Sequence, residues 1–440
     1  MQASSTFTID PGGCLVGTIA VPGDKSMSHR SVIFASIAEG YAEISGFLEG
    51  EDTLATVAAF RRMGVSIEGP RDGRLEIRGV GLRGLLAPDR SLDLGNSGTA
   101  MRLLPGVLAG QDFEVTLCGD ASLTSRPMAR IITPLTSMGA RIEAGEAATP
   151  PLTIHGRGGA LTAIDYAMPV ASAQVKSCLL LAGLYADGVT RIHEPAPSRD
   201  HTERMLAAFG HGVERAGNVV SIEGATSLTS TSLEIPGDIS SAAFFLVGAS
   251  IAPGSDLTIQ GVGMNPTRTG VIDILRAMGG QIDIHNERSA GGEPLADLRV
   301  VGADLHGIDI PPALVPLAID EFPALLVAAA CAEGETLLSG ARELRVKESD
   351  RIASMATGLS VLGVDAEPRE DGMRIRGGVL GGGRVESHGD HRIAMAFSMA
   401  GLRATRPVVV ADCANVATSF PGFAGLARAA GLAISVADGR

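Results

Sequence analysis

The sequence predicts an α/β repeat protein made of two globular parts, and three observations carry that expectation. Six segments open on small and polar residues and run into an apolar helix. Each is followed by an amphipathic helix that stops at a small residue, usually glycine, before a strand, and alternating strands close most of the units. The openings recur about every 70 residues, which marks a repeat architecture. Helices apolar on most sides belong among neighbours, so each unit should bury one helix in a central bundle and lay its strands outside.

Taken in order, the openings are GDKSMSHR from Gly23, GNSGTAMR from Gly95, PVASAQVKS from Pro169, PGDISSAAFF from Pro236, AIDEFPALL from Ala318 and SHGDHRIAMA from Ser387. In the first, Asp24 or Ser26 is placed to cap the helix that runs through Ser31–Ala38. The second helices read FRRMGVSIEG, LTSMGARIEA, LAAFGHGVERAG, LRAMGGQIDIHN, LSVLGVDAEPRED and LARAAGLAISVADG. Their terminal glycines suit a left-handed C-cap. LEIRGV, PLTIHG, VVSIEG, LRVVGA and MRIRGG alternate as closing strands. Residues 286–295 and the glycine-rich 377–383 read as mobile turns.

Two related phrases, Val21-Pro22-Gly23-Asp24 and Ile235-Pro236-Gly237-Asp238, mark the boundaries. Cutting there gives an inserted domain of three repeats over residues 23–236. Residues 1–22 and 237–440 form a discontinuous domain with the other three, and helix openings of both face an interdomain cleft.

Composition narrows the partners. The chain has 440 residues and a formal charge of −13, which disfavours nucleic acid and anionic membranes, since both need a broad basic surface. It starts without a basic segment ahead of an apolar core, and its apolar runs fall short of the roughly 18 residues of a membrane span. The expectation is a soluble, cytoplasmic, monomeric protein. Five scattered cysteines, Cys14, Cys118, Cys178, Cys331 and Cys413, contain no CxxC pair and so predict neither a disulfide framework nor a zinc site.

A local cluster of cations can override the net sign. Lys25, Arg30, Arg102, Arg126, Lys347, Arg351 and Arg392 lie at or beside the openings, with Ser26, Ser97, Thr99, Ser172 and Gln174. Helix N-termini and arginine forks together favour a ligand with several negative charges. Of 36 basic residues only Lys25, Lys176 and Lys347 are lysine. Two carboxylates stand among the cations, Asp320 in AIDEFPA and Glu348 in VKESDR, and read either as salt-bridge partners or as proton-transfer groups. GDKS lacks the preceding residues of a P-loop, His388 and His391 lack a third metal ligand, and Cys118 has no neighbouring base.

GDKSMSHR, GNSGTAMR, SRPM at Ser125–Met128, SAQVKS at Ser172–Ser177, PGDISSAAFF, DEFP at Asp320–Pro323, RVKESDR at Arg345–Arg351 and HGDHRIAMA at His388–Ala396 together resemble the 5-enolpyruvylshikimate-3-phosphate synthase family. The likeness runs from about residue 13 to residue 425 in the family's order. It implies a two-domain inside-out α/β barrel of six βαβαββ-type repeats, three per domain, with buried parallel helices and outer sheets. It also implies transfer of the enolpyruvyl group of phosphoenolpyruvate to the 5-hydroxyl of shikimate 3-phosphate, with release of phosphate and with no metal or cofactor. Carried over by position, the resemblance gives Lys25, Ser26, Arg30, Ser172, Ala173, Gln174, Arg199, Asp320 and Lys347 as shikimate 3-phosphate contacts. Lys25, Gly98, Arg126, Gln174, Arg351 and Arg392 become phosphoenolpyruvate contacts. Asp320 is the base for the 5-hydroxyl, and Glu348 with Lys25 exchanges the proton at the methylene carbon. The chain departs from other members at Leu103, where they place proline after the arginine, and at Thr418, where some carry lysine. Gly98 leaves room for the inhibitor glyphosate beside the phosphoenolpyruvate site.

Three other readings stay open on sequence. One is the sister enolpyruvyl transferase acting on UDP-N-acetylglucosamine, which typically has a loop cysteine after a glycine pair. The others are a non-catalytic repeat scaffold and a phosphate-ligand binding or transport module.

Overall fold

Each of the six apolar segments forms a helix: Lys25–Ile37, Gly98–Leu108, Ala173–Gly183, Ile239–Ile251, Phe322–Cys331 and His391–Ala400. The computed structural model describes residues 5–156, 158, 161–225 and 227–438. Five of the six N-termini are closed by a side chain that accepts a backbone N–H from the first turn. These caps are Asp24, Ser97, Ser172, Asp238 and Asp390, each worth about 1 kcal/mol. In the sixth, Pro323 sits in the first turn, where no amide donor is missed. The second helices stop as the sequence predicts. Gly64, Gly139, Gly210, Gly279, Gly363 and Gly431 all lie in the left-handed region, with φ between 82° and 117°.

The chain divides into two compact units. One is Met1–Pro22, Pro236–Arg288 and Pro294–Arg440, and the other is Gly23–Ile235 with Ser289–Glu293. Each has its own hydrophobic core. The core helices supply much of it, and every residue of Ile239–Ile251 is buried. In the Gly23–Ile235 unit, the helix Gly98–Leu108 meets Ala173–Gly183 at Gly106, where a Cβ would stand 2.2 Å from the Cys178 carbonyl oxygen. Backbone cannot yield there, so the close approach requires glycine.

The repeats have one strand order. Leu92–Asp93 pairs parallel with Glu114–Cys118, which pairs antiparallel with Leu152–His155 and through it with Arg141–Glu143. Asp165–Ala167, Val189–His193, Val219–Glu223 and Glu214–Ala216 repeat that pattern. This is the βαβαββ unit, and the architecture is the inside-out α/β barrel that the resemblance implies.

At the two Pro-Gly-Asp phrases the first and fourth repeats exchange their opening strands. Val16–Ala20, which precedes the first core helix, pairs parallel with Asp256–Gly263 (Ile19 opposite Ile259). Leu233–Glu234, which precedes the fourth, pairs parallel with Glu39–Ser45 (Leu233 opposite Ile44). Ser5–Ile9 then fills the closing position of the last repeat, antiparallel to both Val408–Ala411 and Ile434–Asp438.

One expectation is corrected. Residues 286–295 are not a loop but the turn and flanks of a hairpin, Gln281–Ala290 with Glu293–Val301, the second strand largely buried. The polar run HNERSAGGE masks the alternation because its first strand is exposed along much of its length. Among the described residues no helix is long and apolar enough to cross a membrane.

Candidate active site

The sequence-selected residues fall into two sets, one in each unit. In the Gly23–Ile235 unit the set is built on the first turns of three core helices. Arg30 is almost wholly buried, yet its three hydrogen-bond partners are neutral: Thr202 Oγ1 at 2.7 Å, Ser177 Oγ at 2.8 Å and the Ser26 carbonyl at 2.9 Å. Burial lowers it to about 10, which leaves it charged at neutral pH. A desolvated cation whose direct hydrogen bonds go to neutral groups, with the Asp24 and Glu203 carboxylates acting on it only through space, can attract an anion.

Lys25 is paired with the buried carboxylate of Asp52. Arg102 Nη1 donates to Gln174 Oε1 at 3.1 Å, and Gln174 Nε2 donates to Thr99 Oγ1 at 3.3 Å, tying the second opening to the third. Arg126 is positioned by Asn96 Oδ1 at 2.6 Å and Ser122 Oγ at 3.1 Å. Ser172 is spent as a cap on Val175 N–H, and Ala173 begins the helix it caps. Arg199 lies half-buried one residue after Ser198. That loop is fastened by Lys176, which is fully buried against Glu203 at 2.7 Å and Glu194 at 3.2 Å and donates to the Ser198 carbonyl at 3.3 Å. The second of the three lysines therefore has a structural occupation.

In the other unit Asp320 Oδ1 lies 3.3 Å from Lys347 Nζ and 3.4 Å from Arg351 Nη1. Glu348 Oε2 takes Arg351 Nη2 at 2.6 Å, so the two carboxylates share one guanidinium. Behind it, fully buried Asp390 accepts from Arg351 Nε at 2.8 Å and from Ser349 Oγ at 3.1 Å. Burial by itself would lower Arg351, but Asp390, Glu348 and Asp320 outweigh it and hold the group above its ordinary range. Arg392 Nη1 donates to the Asp320 carbonyl at 3.0 Å. Lys347 Nζ also meets Glu343 at 2.5 Å.

Gly98 touches the cations directly. A Cβ there would lie 2.9 Å from Arg102 Nη1 and 3.0 Å from Arg126 Nη1, the far ends of two flexible side chains. Gly98→Ala should therefore leave the thermal midpoint within a few degrees, because those ends can turn aside. It should also raise the KM of whichever anionic substrate Arg126 binds by roughly tenfold, since each charge-assisted hydrogen bond is worth about 1.5–3 kcal/mol. Steady-state kinetics with each substrate varied in turn checks this, and an unchanged pair of KM values would remove Gly98 from the site.

Sequence reasoning missed Asp52, Glu321 and Arg268. Acidic residues are common in a first helical turn, so Asp52 gave no separate signal. Arg268, in NPTRTG, is buried although arginine is mostly exposed, and nothing in its neighbours announces that. Thr418 donates to the Asn415 carbonyl at 2.8 Å and brings no charge, while Leu103 is buried in the core. His388 is exposed at a left-handed φ of 54°.

The family model described as EPSP synthase (3-phosphoshikimate 1-carboxyvinyltransferase) matches residues 9–426. The 3-phosphoshikimate 1-carboxyvinyltransferase of Alkalilimnicola ehrlichii is 65% identical over 433 residues, 98% of this chain and 97% of that relative. That of Methylococcus capsulatus is 65% identical over 430 residues, 98% of each. The solved EPSP synthase of Acinetobacter baumannii superposes with a TM-score of 0.90 at 56% identity, covering 98% of this chain and all of that one. The enolpyruvyl transferase NikO of Streptomyces tendae, at 16% identity and a TM-score of 0.81, shares the fold.

Proposed function

The chain belongs to the EPSP synthase family, and from that premise we propose that its two sets of residues serve one reaction, enolpyruvyl transfer from phosphoenolpyruvate to the 5-hydroxyl of shikimate 3-phosphate. The observation that carries the assignment of roles is the pair of carboxylates, Asp320 and Glu348, on the single guanidinium of Arg351. Two carboxylates held close but with different partners suit two different proton transfers.

Both substrates carry a phosphate and a carboxylate. At an effective dielectric of 20, two unit charges 4 Å apart repel by about 4 kcal/mol, so bringing the substrates together needs cations already in place. Lys25, Ser26, Arg30, Ser172, Ala173, Gln174, Arg199 and Lys347 bind shikimate 3-phosphate in this reading. Lys25, Gly98, Arg126, Gln174, Arg351 and Arg392 bind phosphoenolpyruvate. Arriving anions replace Asp320 on Lys347 and Arg351, which frees its carboxylate for the 5-hydroxyl. Asp320 takes the hydroxyl proton as the oxygen attacks C2 of phosphoenolpyruvate, while Glu348 with Lys25 delivers a proton to the methylene carbon. The tetrahedral adduct then loses phosphate as that carbon returns a proton. The enzyme works as a cytoplasmic monomer in this reading.

The test is phosphate release with both substrates present and a chelator added. Release that needs both supports the reading, and its absence with either order of addition overturns it. Cys118 speaks against the sister transferase reading. Its thiol lies near Ser91 Oγ at 3.8 Å and the Leu92 carbonyl at 3.7 Å, neither of them a base. Cys118→Ser should retain most of the turnover, at least half, and an inactive variant would revive the sister reading.

A further inference from the structure

Glu321 stands next to the proposed base but takes no part in the reaction described above. It is 1% exposed, deeper than Asp320. One oxygen, Oε1, accepts from Ser240 Oγ and faces Arg268 Nη2 at 3.7 Å and Arg392 Nη1 at 3.8 Å. Arg268 is equally buried and donates to Ser240 Oγ at 2.6 Å and to Asp238 Oδ1 at 3.2 Å. The other oxygen, Oε2, is buried without a hydrogen-bond partner. Leaving a charged oxygen unsatisfied in the interior is costly, so a purely structural carboxylate is a poor solution for this position.

The geometry shows what the group connects. Ser240 lies in the first turn of Ile239–Ile251, Glu321 immediately precedes Phe322–Cys331 and Arg392 lies in the first turn of His391–Ala400. One buried carboxylate therefore ties the three helix openings of this unit to one another. Arg392 is the more exposed of the two arginines, and its Nη1 also donates to the Asp320 carbonyl at 3.0 Å. We infer that Glu321, charge-balanced by Arg268 and fixed by Ser240, is a positioning residue that holds the Arg392 guanidinium in register for the carboxylate-bearing substrate that lacks the ring. This rests on the reaction proposed above.

The test is Glu321→Gln, which keeps an acceptor for Ser240 but removes the charge that attracts Arg392. With phosphate release as readout and each substrate varied in turn, the KM for phosphoenolpyruvate should rise about tenfold. The KM for shikimate 3-phosphate should stay within twofold and kcat within threefold. A residue with only a structural role would move both KM values together or neither. If Glu321→Gln does not fold, Ser240→Ala should show the same one-sided split at about threefold. An equal rise in both KM values, a lower KM for phosphoenolpyruvate, or no split in either variant overturns the inference while an active wild type leaves the reaction standing. A wild type that releases no phosphate takes both down.

Discussion

Asp320→Ala should lower kcat by two to four orders of magnitude, the range that a positioned general base contributes, while neither substrate binds more weakly. The second half of this expectation follows from the geometry. The Asp320 carboxylate lies 3.3 Å from Lys347 and 3.4 Å from Arg351, and both are proposed to bind substrate anions. Removing it takes away an internal competitor, so KM should stay constant or fall. Folding should change little, because Lys347 keeps Glu343, and Arg351 keeps Glu348 and Asp390. Asp320→Asn separates the base from the space it fills, and should be as slow as the alanine variant. Measuring kcat and both KM values for the two variants decides the matter. A loss of less than tenfold in kcat would remove Asp320 from proton transfer, and a rise in KM with kcat intact would make it a binding group only.

The same contacts explain why this much of the site could be read from sequence and no more. Lys25, Arg30 and Arg392 sit at small-residue openings ahead of apolar helices, Arg126 lies just before a second helix and Arg351 begins another, and an N-terminal turn leaves amide donors and a positive dipole end for an anion. That local logic needs no tertiary information. Glu321 and Arg268 lack it, because the reason for each is the other residue, more than fifty positions away. The fold divides likewise. Helix caps and the terminal glycines are written locally, whereas the exchange of Val16–Ala20 and Leu233–Glu234 depends on which sheet edge each strand meets. A strand of only two residues has too little pattern to reveal that.

The largest expected loss of stability comes from Asp390. It is fully buried, caps Arg392 N–H at 2.9 Å and holds Arg351 at 2.8 Å, itself 1% exposed. Asp390→Asn keeps the shape and leaves Arg351 buried with a neutral neighbour in place of its most deeply buried counter-charge. Breaking a buried pair from one side costs about 3–5 kcal/mol, and for a unit of this size that is on the order of a 10 °C fall in thermal midpoint. The pH dependence gives a second handle. Burial pulls the Asp390 carboxyl upward, but the Arg351 charge outweighs it, and the group ends below the ordinary aspartate value of 3.8. A depressed carboxyl contributes its stability fully above the unfolded value and loses it as pH falls through the folded one. The gap between wild type and Asp390→Asn should therefore be constant from neutral pH down to about 5, and should close only below about 4. Denaturant titrations of both proteins across that range measure it. A gap near zero at pH 7 would mean that Asp390 acts as a helix cap alone, since asparagine caps as well as aspartate, with the Arg351 charge carried by Glu348 and Asp320.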